Sequence, residues 1–131
     1  MDDLRLAPLV GIVASLGFLV TLGVPYVLAD SASAVGAYYT SGAVNPLLAG
    51  LFALVTIIVF AAGREGRTDP ELAAGVALAL GAFMTIVAVA WALTVRVDVI
   101  AIQTSHRWIV VAVSAIVPVS GAWFARALGV L

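Results

Sequence analysis

The residues best equipped for chemistry fall in one short stretch, Arg96-Val97-Asp98-Val99-Ile100-Ala101-Ile102-Gln103-Thr104-Ser105-His106-Arg107. Two guanidinium groups beside an imidazole could bind an anion, and His106 titrates close enough to neutrality to sense pH. A metal centre asks for more. His106 is the sole histidine, and with Asp98 as its one acidic neighbour it falls short of a four-ligand zinc site. General-base catalysis would also need a nucleophile and an orienting partner, and no other residue nominates itself for either role. A second polar group is quieter. Pro118 deprives the Ser114 carbonyl of its helical hydrogen bond, and that carbonyl with the Ser114 and Ser120 hydroxyls makes a polar spot on an otherwise apolar run.

The elements that must position these groups are four long apolar stretches, at about residues 6–29, 46–62, 71–95 and 108–128. Hydrophobic residues make up 64% of the 131-residue chain, charged residues only 10%, and the mean hydropathy is +1.22. A soluble domain carries roughly 25% charged residues, so most of this surface must face lipid. Each stretch meets the roughly 17 to 25 helical residues needed to cross a bilayer. Isolated strands cannot satisfy their backbone in hydrocarbon, which leaves helices. The expected fold is therefore an all-α integral membrane protein, a four-transmembrane-helix up-down bundle with short loops. Polar and apolar residues alternate through Thr94, Arg96 and Asp98, which suits a short extended segment able to pair with the first outer loop as a small cap.

Local signals mark the boundaries. Asn45-Pro46 and Asp69-Pro70-Glu71 read as helix starts, with a capping side chain, a proline where its missing N–H costs nothing and, in the second, an acid at the positive dipole end. Gly63 reads as the stop of the second span. Orientation follows from the arginines, the only basic side chains besides His106. With both termini cytoplasmic, Arg5, Arg64, Arg67 and Arg126 lie inside and Arg96 and Arg107 outside, as the positive-inside rule favours. Tyr26, Trp91 and Trp108 then fall at the outer boundary, and Tyr38 and Tyr39 in the outer loop. Ala32-Ser33-Ala34 fits the small-residue rule for signal-peptide cleavage. The acidic start and the length of the first apolar run favour keeping the first helix.

Small residues recur at four-residue spacing, as in Gly11 and Ser15, Ala77 and Gly81, and Gly121 and Ala125. Such stripes let helix backbones approach closely within one bundle or between subunits. Proton pumps and voltage sensors rely on charges inside the membrane, and the middle of every stretch lacks one. With no cysteine and no lysine in the chain, thiolate, disulfide, Schiff-base and P-loop chemistry are excluded. No basic run supports nucleic-acid binding. Within this setting Arg96, Asp98, His106 and Arg107 read first as interfacial anchors beside Trp108.

The Ala/Val/Gly-rich spans, the absence of Lys and Cys and the Asp-Asp start resemble small four-helix membrane proteins of halophilic archaea whose function is unknown. That resemblance, carried by composition and span layout, implies an archaeal plasma membrane and brings no site residues with it. The functional expectation is a non-enzymatic accessory or structural subunit, without a cofactor, partnered by the lipid bilayer and by another membrane protein or itself. The alternative is a small homo-oligomeric channel or facilitator for a small solute or ion, with Ser114, Pro118 and Ser120 along its path.

Overall fold

The computed structural model describes residues 2–28, 31–95 and 105–131, which form five helices. These are α1 (Asp3–Leu28), α2 (Ala32–Thr40), α3 (Leu47–Arg64), α4 (Pro70–Thr94) and α5 (Ser105–Ala127). Four of them, α1, α3, α4 and α5, are long and apolar enough to cross a membrane. The shortest of these is α3 with 18 residues, about 27 Å of rise and close to the minimum for a bilayer core.

The four long helices run up and down in chain order and close into a ring. Each packs on its sequence neighbour, and α1 also packs on α5. Short connections permit little else, since each helix must turn straight back beside the one before it. Both termini consequently sit at one end, where the Arg64 Nε donates to the Arg5 carbonyl at 3.1 Å and Gly63 packs against Ala73 and Phe124. The opposite end is closed by α2.

Caps explain the boundaries. The Asp69 carboxylate accepts the Glu71 N–H at 3.1 Å, and Pro70 opens α4 where a missing donor is harmless. Asn45 accepts the Leu47 N–H at 3.0 Å at the start of α3. The stop of α3 is a correction. Gly63 lies inside the helix, buried against α4 and α5, and the turn is made three residues later by Gly66 at φ 72°. Arg67 N–H then reaches back to the Ala62 carbonyl at 2.9 Å, the six-to-one bond of a Schellman motif. Gly129, at φ 81°, ends α5 in the same way through Val130 N–H to the Ala125 carbonyl at 3.0 Å.

A second correction concerns the loop after the first span. Its described residues hold a helix where an extended cap was expected, and no strand occurs among the described residues. Ser31 caps α2, its hydroxyl accepting the Ala34 N–H at 3.3 Å. Val35, Tyr38 and Tyr39 then fall on one face at helical spacing and are fully buried, while Ala32, Ser33, Ala37 and Thr40 stay exposed. The other half of the expected cap, residues 96–99, lies outside the described residues.

The small-residue stripes serve the bundle itself. Gly11 lies under the Phe60 ring, Gly81 against the Pro118 backbone, and Gly121 against the Leu78 backbone. Ser15, Ala77 and Ala125 are buried as well. Glycine lets α4 and α5 touch backbone to backbone, as van der Waals packing in lipid requires. Large side chains, Phe18, Phe60, Met84, Trp91 and Phe124, fill the rest of the interior.

Candidate functional site

Where α2 meets the ends of α1, α4 and α5, the described polar and aromatic groups are densest. The cause begins with Pro25. Lacking an N–H, it leaves the Thr21 carbonyl without its helical partner. His106, at the first turn of α5, supplies one: its Nε2 lies 2.9 Å from that carbonyl. A carbonyl can only accept, so Nε2 carries the proton, and in the neutral ring Nδ1 is then an acceptor. The Tyr38 hydroxyl, 2.9 Å from Nδ1, donates to it. One imidazole thus joins α1, α2 and α5.

Aromatic packing surrounds this chain of bonds. Tyr38 stands edge-on to Trp91 with centroids 5.2 Å apart, Tyr39 is 5.5 Å from Trp91, and Tyr26 is 6.1 Å from Tyr39. The Tyr39 hydroxyl donates to the Leu22 carbonyl, beside the proline-freed one. Gly42 passes so close to Trp91 and Thr94 that a Cβ there would sit 2.9 Å from the Thr94 hydroxyl. That hydroxyl accepts the Ala43 N–H at 2.8 Å, tying the segment after α2 to α4. Burial pushes the Tyr38 phenol up to about 12, against the opposing pull of the Arg107 guanidinium. Tyr39 is raised as well, first by burial and then by Tyr38 and Tyr26. Both phenols are therefore neutral donors at physiological pH.

Arg107 is half-buried and engaged. Its Nη1 donates to the Ala92 carbonyl at 3.1 Å, in the last turn of α4 where a cation meets the negative end of the dipole. Its guanidinium lies 5.2 Å from the centre of the Trp108 ring. Two buried donors, Trp91 Nε1 and Arg107 Nε, have no partner among the described residues. Arg96 and Asp98 lie outside the described residues, and among those described no group of three or more His, Asp or Glu could hold a metal.

The second expected group, Ser114, Pro118 and Ser120, lies on α5 where that helix packs against α4. Thr85 on α4 donates its hydroxyl toward the Ser114 carbonyl that Pro118 frees, at 3.2 Å, sharing the proton with its own Gly81 carbonyl at 3.1 Å. The Ser114 and Ser120 hydroxyls bond back to Val111 and Ile116 on their own helix, and both serines are buried against the bundle. Tyr38, Trp91, Thr21 and Thr85 complete these two groups without having been singled out as site residues. Proline chemistry marks the freed carbonyls in the sequence, yet nothing local marks their partners, which lie 85 and 29 residues away.

Fold and site together define an all-helical protein with four membrane-crossing-length helices, sealed at one end by a short helix docked through a tyrosine–histidine–carbonyl chain. The chain belongs to a family of unknown function, DUF7548, which matches residues 1–129. Neither a curated protein nor a solved structure matches it.

Proposed function

We propose that this protein is a non-enzymatic accessory subunit of the plasma membrane, with both termini cytoplasmic, that binds another membrane protein through the outward face of α4. The supporting observation is that Gly75, Ala79 and Ala82 line up on the exposed side of α4, with open space about Gly75. Large apolar side chains, Leu72, Val76, Phe83 and Ile86, flank this track on α4, and the outward faces of the other long helices carry large aliphatics such as Val13, Leu16 and Val20 on α1, Leu51, Leu54 and Ile58 on α3, and Ile109, Ile116 and Val119 on α5. A track of small residues lets a foreign helix approach to backbone contact, where dispersion and weak hydrogen bonds act in place of the hydrophobic effect. The orientation rests on Arg5, Arg64, Arg67 and Arg126 sharing the end that holds both termini.

Gentle extraction from the native membrane, followed by mass and composition of the complex, tests the reading. A different protein in fixed ratio, lost on Gly75→Leu while the chain stays folded, is the expected result. A complex of this chain alone would overturn it and favour the homo-oligomeric channel or facilitator.

A further inference from the structure

A cleft of about 420 Å³ opens on the flank of α3 at the end holding the termini, lined by Ile57, Ile58, Ala61, Ala62, Glu65 and Arg67. Its walls are apolar on the side of the helix and charged at the mouth. The Schellman turn builds that division. Gly66 at φ 72° reverses the chain, and the bond from Arg67 N–H to the Ala62 carbonyl seats Arg67 directly over the last apolar turn. Of the two charged side chains at the mouth, Glu65 has an ion-pair partner and Arg67 has none among the described residues. Glu65 is paired with Arg64 at 3.1 Å, and Arg64 is further held by the Arg5 carbonyl. Asp69, the next acid along the chain, accepts from the Glu71 N–H at the start of α4. Arg67 thus stands above the apolar trough as a cation with no ion-pair partner among the described residues.

We infer that this cleft binds one anionic phospholipid, its phosphate on Arg67 and an acyl chain along Ile57, Ile58, Ala61 and Ala62. Charge complementarity and depth select this ligand. The trough runs down a helix long and apolar enough to cross a membrane, and the cation stands where that helix ends, at headgroup level. Soluble anions would use only the mouth. This site lies on a different helix from the α4 contact face and does not depend on it.

Native mass spectrometry of the detergent-purified protein, titrated with phosphatidylglycerol or phosphatidylcholine, provides the test. The wild-type chain is expected to retain one phosphatidylglycerol in preference to phosphatidylcholine, and Arg67→Gln to weaken that preference about fivefold. Ala61→Trp should fill the trough and reduce retention of both lipids. Arg126→Gln, a change to an exposed cation on α5 across the bundle, should leave the preference intact. Equal retention of the two lipids by the wild-type chain would overturn the proposal. So would equal losses in the Arg67 and Arg126 variants, which would mean general surface charge. Complete displacement by inorganic phosphate would also overturn it, by making the mouth a free-anion site.

Discussion

Pro25 and Pro118, like Pro8, lie inside helices, and the molecule repairs the breaks made by Pro25 and Pro118 differently. At Pro118, midway along α5, the freed Ser114 carbonyl is met by the Thr85 hydroxyl, a group that cannot ionise, inside a contact tight enough to need Gly81. At Pro25, near the end of α1, the freed Thr21 carbonyl is met by His106, a group that can. The difference matches the position of each break along helices long and apolar enough to cross a membrane. An ionisable side chain is costly at the middle of a membrane and tolerable near its edge. The histidine also has a second nitrogen to offer, so the repair at the end recruits α2 through Tyr38, whereas the repair at depth joins two helices only.

This contrast can be broken by substitution. Gly81→Leu should do most damage, because a Cβ there would lie 2.7 Å from the Pro118 nitrogen and backbone cannot step aside. About 3 kcal/mol of destabilisation is expected, read from unfolding in detergent. His106→Leu leaves both the Thr21 carbonyl and the Tyr38 hydroxyl unpaired and should remove about 2 kcal/mol. A double-mutant cycle sharpens that result. With Pro25→Ala the Thr21 carbonyl regains a helical donor, so His106→Leu should become less damaging in that background; unchanged damage would mean the proline and histidine are uncoupled. Thr85→Val should have a smaller effect, about 0.6 kcal/mol, as interhelical hydrogen bonds in membranes average.

A further effect is alkaline. Burial lifts the folded-state pKa of Tyr38 to about 12 from an ordinary value of 10.0. The folded state therefore holds this proton after the unfolded state has released it. Stability from the neutral phenol is complete below pH 10 and drains away as pH rises through about 12. Midpoints of thermal unfolding measured across that range should fall more steeply for the wild-type chain than for Tyr38→Phe.

The repair at depth was half legible in the sequence, and the one at the end hardly at all. Pro118 announces its own consequence, since the bond it removes is fixed by helix geometry, and the polar spot at Ser114 follows from that rule alone. Thr85 could not be named because its pairing depends on how α4 and α5 are rotated. The four spans were legible because hydropathy acts over twenty residues at a time. Helix α2 was missed for the opposite reason. Nine residues with a Ser31 cap and a Val35/Tyr38/Tyr39 face carry a helical signal, but Ala, Gly and Ser at the remaining positions made the stretch read as loop. The stop at Gly63 was misread because glycine serves two purposes here, close approach inside α3 and reversal after it, and only backbone geometry separates them.

The histidine bond also has a place in time. Thr21 leaves the ribosome 85 residues before His106, so the break at Pro25 is made with its carbonyl unmatched. Helix α2 can be made early, yet the nitrogen that holds Tyr38 arrives only with the last long helix. The end sealed by α2 is therefore completed last, and a chain arrested before α5 would carry three long helices with that end still open.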